Sequence, residues 1–128
     1  MGRITTSSDT ENGLTVFTVI DKVDAEQLLR RVISFLTEEP TRFVLWDFRA
    51  GSLASLGSED LKNIVEQGKQ FADSRKGGRT AIVCSTDLDF GLSRMFQVYA
   101  EISHVPFEIS VFRNFDEAGA WLSNAKQA

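Results

Sequence analysis

The chain has 128 residues, 42% hydrophobic and 25% charged, which is the composition of a folded globular chain with room for one hydrophobic core. Lys and Arg number 14 against 18 Asp and Glu, for a formal net charge of -4, so the basic excess that phosphate binding draws on is missing and no nucleic-acid partner is expected. No apolar run is long enough to cross a bilayer or stands near Met1 as a signal peptide would, and one cysteine, Cys84, with one histidine, His104, leaves neither an internal disulfide nor a Cys/His zinc site.

In chain order, Arg3 to Ser8 and Leu14 to Ile20 predict a hairpin around the Asn12-Gly13 turn signal. The first strand is polar enough for a sheet edge. The second reads as partly buried on both faces. A helix is expected from Ala25 to Thr37, with Asp24 and Gln27 as a capping box, Val23 and Leu28 as a hydrophobic staple, and Pro40 past its end. Leu28, Leu29, Val32, Ile33 and Leu36 supply its apolar stripe. Phe43 to Phe48 is a nearly unbroken apolar run and reads as a central strand covered on both sides. A loop from Arg49 to Gly57 follows, then a helix capped by Ser58 that runs to about Arg75. Its inward residues would be Leu61, Ile64, Val65, Gly68, Phe71 and Ala72, with Gly68 marking a close contact.

The basic run Arg75-Lys76-Gly77-Gly78-Arg79 reads as a solvated turn before a strand from Arg79 to Cys84. Thr86 and Asp89 form a second capping-box pattern, opening a helix through Ser103 with Leu88, Leu92, Met95, Phe96, Tyr99 and Ile102 on one side. Phe107 to Phe112 is the last strand. Asn114 caps a short terminal helix that turns Ala118, Trp121 and Leu122 inward. Met1 to Thr6 and Asn124 to Ala128 are the loosely specified ends. The order β-β-α-β-α-β-α-β-α predicts one α/β domain over residues 1–128. It is built on a mixed, mostly parallel five-stranded sheet with an N-terminal hairpin and four helices.

Chemistry-bearing residues are sparse. His104 would need an orienting acid such as Glu101 to act as a base, and its place at a helix end has a purely structural reading. Cys84, at a strand end, is more readily a core thiol than a nucleophile. Asp47, Asp87 and Asp89 lie near strand ends, where an open α/β sheet places its ligand crevice, so they could hold Mg²⁺. The plainer alternative makes Asp87 and Asp89 capping residues and pairs Asp47 with Arg49. Arg94 could meet an anion or simply join a surface salt bridge. Phe48 and Leu53, around the loop with Leu56 and Phe90, could line an apolar patch. No phosphate-binding glycine loop is present. No cofactor and no metal is expected.

The runs Gly78-Arg79-Thr80-Ala81-Ile82-Val83, Gly91-Leu92-Ser93-Arg94-Met95-Phe96, Glu108-Ile109-Ser110-Val111-Phe112-Arg113 and Asp116-Glu117-Ala118 with Trp121-Leu122 resemble the SpoIIAA-like group of the STAS superfamily, the fold of bacterial anti-sigma factor antagonists. The resemblance covers nearly the whole chain. It implies a sheet of sequentially neighbouring strands wound with four helices, and a cytoplasmic domain that binds a protein partner or itself. Classical antagonists carry a phosphorylatable serine in an aspartate-serine-serine-glycine-leucine run at the start of the helix after the strand matching Phe43 to Phe48. Here the region reads Leu53-Ala54-Ser55-Leu56-Gly57-Ser58-Glu59-Asp60-Leu61. Ser55 and Ser58 lie near the right place without the aspartate-serine-serine core, and Glu59 and Asp60 would repel a phosphate on Ser58. A relation to SEC14-type domains implies a second role, carriage of a small apolar or lipid-like ligand. An enzyme built on a carboxylate cleft is the third. The expected interaction surface is Asp47, Phe48, Leu53, Ser55, Leu56, Ser58, Asp87, Phe90 and Arg94, with Glu59, Asp60 and Asp89 setting polarity at its rim.

Overall fold

A computed structural model describes residues 2–127. The five strands are β1 (Arg3–Asp9), β2 (Leu14–Lys22), β3 (Phe43–Ser52), β4 (Arg79–Cys84) and β5 (Glu108–Phe112), and the four helices are α1 (Ala25–Thr37), α2 (Ser58–Lys69), α3 (Asp87–Ile102) and α4 (Phe115–Gln127). They form one sheet in the order β1-β2-β3-β4-β5, with β1 antiparallel to β2 and every other pair parallel. This is the mixed, mostly parallel sheet with an N-terminal hairpin that the element order predicts.

Strand alternation divides the core into two layers. Phe17, Val19, Val44, Trp46, Phe48 and Ile82 face α1, α2 and α3, whereas Phe43, Leu45, Ala81 and Val83 face α4 through Ala118 and Leu122. Helices therefore lie three on one face and one on the other. Phe17 stacks on Trp46 with ring centroids 4.3 Å apart and meets Phe35 edge-on at 5.4 Å. Asp24 and Gln27 make the expected reciprocal cap on α1.

Several boundaries differ from the sequence expectation. β3 does not stop at Phe48 but continues to Ser52 against β2, past a bulge that sets Phe48 and Arg49 opposite Val19. The loop is thereby shortened to Leu53–Gly57. The cap of α2 is Gly57, not Ser58, and the Asp60 carboxylate accepts its N–H at 2.8 Å. α2 ends at Lys69, and a separate 3₁₀ turn at Ala72–Arg75 follows, leaving Phe71 exposed rather than inward. At the ends, β1 already starts at Arg3 and α4 includes Asn124. Met1 and Ala128 lie outside the described residues.

The basic run is not a solvated turn at Arg75. Arg75 is 3% exposed. Its guanidinium donates to the Thr41, Arg42 and Arg79 carbonyls and to Thr80 Oγ1 at 2.7–3.0 Å, and lies 4.4 Å over the Phe107 ring. Among the described residues no carboxylate pairs with it, so burial pushes its pKa down to about 10, which leaves it cationic at neutral pH. Carbonyl dipoles and an aromatic face replace the water lost by the charge.

α3 departs furthest from its expected orientation. Its buried residues are Asp89, Ser93 and Ala100, with Phe96 packed beside them. Leu88, Met95 and Ile102, expected inside, are exposed. Two polar residues occupy the inward face because each has a partner there: Ser93 Oγ is 3.3 Å from Cys84 Sγ, and Asp89 holds the β3–α2 loop.

Candidate functional site

The carboxyl ends of β3, β4 and β5 and the first turns of α2 and α3 converge at one rim. Asp89, 1% exposed, ties it together. Thr86 Oγ1 accepts the Asp89 N–H at 3.1 Å, as the capping pattern predicts. The carboxylate does not return to the cap, however. Its Oδ1 accepts the Leu53 N–H at 2.9 Å and the Ser52 hydroxyl at 3.2 Å. Ser52 Oγ in turn accepts the Ala54 N–H at 3.0 Å, and the Leu53 carbonyl accepts the Leu56 N–H at 2.9 Å. The Leu53, Ala54, Leu56 and Gly57 amides of this compact turn find their acceptors on α3, on Ser52, within the loop and on α2 respectively. Asp89 is a buried anchor, not a rim charge as expected.

The other expected surface residues separate into three groups. Phe48, Leu53 and Leu56 are buried and belong to the core cluster; they hold the loop down instead of offering an apolar patch. Asp47 sits on the α4 side of the sheet, opposite in facing to Phe48, and its two oxygens accept Arg49 Nε at 3.0 Å and Nη2 at 2.9 Å. Burial raises the Asp47 pKa, but hydrogen bonds and charge from Arg49 outweigh it and the net shift is downward. Ser55, Ser58, Asp87 and Arg94 are exposed and Phe90 is half-buried. Asp87 pairs with Arg113 at 2.8 Å, and the same guanidinium lies 4.3 Å over the Phe90 ring. Arg113 and Ser52 thus shape the rim without being legible in the sequence. Nothing in their spacing signals partners across the fold.

Among the described residues Asp47, Asp87, Cys84 and His104 line no common cleft, although His104 and Glu101 share one open surface groove of about 500 Å³. Cys84 is fully buried against Ser93, and burial pushes its thiol pKa up, which keeps it protonated at neutral pH. His104 follows the carboxyl end of α3, about 25 Å along the helix from Asp87 at 1.5 Å per residue. Its φ of 58°, with the Val105 N–H on the Ala100 carbonyl, makes it the left-handed residue of a Schellman-type ending. Among the described residues, no group of three His, Cys, Asp or Glu could hold a metal ion. The apolar cavity bordered by Phe48, Leu53, Ser93 and Phe96 measures about 40 Å³, far below the ~300 Å³ where ligand pockets begin. No described helix is long and apolar enough to cross a membrane.

The sheet order, the antiparallel first strand and the three-to-one distribution of helices are those of the SpoIIAA-like fold. Solved structures that share it include the following two. An anti-sigma factor antagonist from Mycobacterium paratuberculosis superposes with a TM-score of 0.66 at 14% identity, over 96% of this chain and 95% of that one. An uncharacterised protein of the DUF3478 family with a SpoIIAA-like fold, from Shewanella loihica PV-4, superposes with a TM-score of 0.54 at 22% identity, over 94% and 93%. At these identities the likeness is one of fold. No protein-family model matches the sequence, and no curated relative does.

Proposed function

We propose that this chain is a non-catalytic cytoplasmic domain that recognises a protein partner at the rim made by the Leu53–Gly57 loop and the first turns of α2 and α3. The observation that carries the reading is the Asp89 anchor. A carboxylate buried to hold the loop's first amide and the Ser52 hydroxyl supports a fixed platform, on which Ser55 and Ser58 stand exposed beside Glu59 and Asp60. Preformed surfaces of this kind cost little ordering on association. The acidic first turn of α2 favours a partner that brings basic side chains to the edge of the contact. The fold is also used by an anti-sigma factor antagonist, a protein named for opposing another protein. The scattered positions of Asp47, Asp87, Cys84 and His104 do not favour an enzyme built on them, and the apolar cavity of about 40 Å³ behind Phe48 and Leu53 does not favour a carrier of an apolar ligand at this rim.

A photo-crosslinking residue in place of Ser55 tests the reading in the producing cell. One discrete adduct is expected, lost when Ser58→Arg is added and absent when the crosslinker replaces the exposed Glu26 on α1. Equal adducts from both positions, or an adduct indifferent to Ser58→Arg, would reject the rim as the recognition site.

A further inference from the structure

The outward face of α3 carries an apolar seam that no other part of the chain covers among the described residues. Leu88, Gly91, Met95, Val98 and Ile102 recur at intervals of three and four residues, the a/d spacing of a helix-pairing stripe. The four side chains are 58%, 36%, 46% and 69% exposed in that order, on the side of the helix away from Asp89, Ser93 and Ala100. Among the described residues the remaining large exposed hydrophobic is Phe71, so the exposure concentrates on one stripe. α3 packs on α2, β4 and β5 at the edge of its layer, which leaves this face open. Gly91 adds a second anomaly. A Cβ there would meet nothing within 4 Å, yet glycine inside a helix costs about 1 kcal/mol relative to alanine. Nothing in the monomer requires it.

The flanks show what fits the seam. Tyr99 touches Lys62 of α2, so Leu92 and Tyr99 form the α2-side flank. Arg94 and Glu101, one heptad apart on the other flank, are exposed and make no ion pair among the described residues. We propose that α3 pairs with α3 of a second copy of this chain, antiparallel, about a two-fold axis crossing between Phe96 and Gln97. In this register Ile102 seats over the second copy's Gly91, and Met95 packs beside its Val98. Arg94 reaches the second copy's Glu101, and symmetry repeats each contact. Leu92 meets Tyr99 on the α2 side. Sliding the helices by one heptad brings Arg94 against Arg94, and a parallel pairing faces the charges with Leu92 and Tyr99. The charges therefore select one register. The missing side chain at Gly91 supplies the hole that the most exposed residue of the seam fills. This face is distinct from the Leu53–Gly57 rim, and the pairing holds or fails independently of the recognition proposed there.

Sedimentation velocity over roughly 1–500 μM tests the pairing, a range suited to a contact smaller than a standard interface. The mass should rise from monomer to dimer with concentration. Met95→Lys, at a solvent-exposed position, should raise the dimer dissociation constant by roughly 100-fold, with a melting temperature unchanged at concentrations where both proteins are monomeric. Arg94→Glu and Glu101→Arg should each weaken it by about 10-fold, and the double exchange should restore it. A monomer at every concentration overturns the proposal. So does a dimer indifferent to Met95→Lys, which would pair through another face, or one that the double exchange fails to restore.

Discussion

The backbone N–H of Leu53 donates to Asp89 Oδ1 at 2.9 Å across 36 residues of sequence. One oxygen at the start of α3 thus sets the conformation of the loop that leads into α2, and the Ser52 hydroxyl shares it. Replacing Asp89 with Ala strands a buried N–H, for a cost of about 1–3 kcal/mol. Asp89→Asn keeps an acceptor oxygen and should cost less. Urea unfolding of the two variants checks the order; equal stability of Asp89→Ala and the parent protein would remove the anchor role.

Leu56 is 5% exposed and part of the main core. An alanine there, which a surface reading of this residue would treat as harmless to the fold, should lower stability by about 2–5 kcal/mol through lost burial and the void left behind. The urea midpoint should fall at unchanged slope. A loss under ~0.5 kcal/mol would return Leu56 to the surface.

Asp47 and Arg49 give stability an acid dependence. Because the folded pKa of Asp47 is depressed, the unfolded chain binds more protons in the window between the two values. The stabilisation is present above the ordinary carboxylate value of 3.8 and is lost as pH falls through the folded value. Arg49→Gln removes the opposing charge and leaves burial, so the Asp47 carboxyl signal in a ¹³C NMR titration should move to higher pH. A titration unmoved by Arg49→Gln would mean that another group holds the carboxylate down.

Gly68 lies inside α2, where a Cβ would stand 3.5 Å from Val32 Cγ1 and 3.8 Å from Leu36 Cδ1, which is ordinary packing distance rather than the tight contact the sequence suggests. Gly68→Ala should therefore gain helix propensity, up to about 1 kcal/mol, and raise the melting temperature. A drop would show that α1 and α2 cannot yield the space.

Local signals proved legible wherever a segment's own chemistry decides its conformation. The Asp24–Gln27 box, the Asn12-Gly13 turn, and the β4 strand with its helix signal at Thr86 depend on groups a few residues apart. The alternation of strands with helix-length segments then leaves little choice but a sequentially wound, mostly parallel sheet. Ser58 has the chemistry of a cap, but Gly57 takes that place because Asp60 supplies the acceptor for its N–H.

What the chain order by itself determined is the architecture: the elements, their sequence and the edge position of β1, since short-range hydrogen bonding and hydrophobic period are written locally. Which face each residue shows was settled only by tertiary packing. α3 has apolar residues at helical spacing on opposite sides, so periodicity alone cannot choose between them. Asp89 and Ser93 turned inward because their partners, Leu53 and Cys84, wait on other elements. The same distant pairing buried Arg75 among carbonyls and drew Leu53 and Leu56 into the core. Contacts between residues tens of positions apart carry no local signature, and it is those contacts that decided which residues the rim exposes.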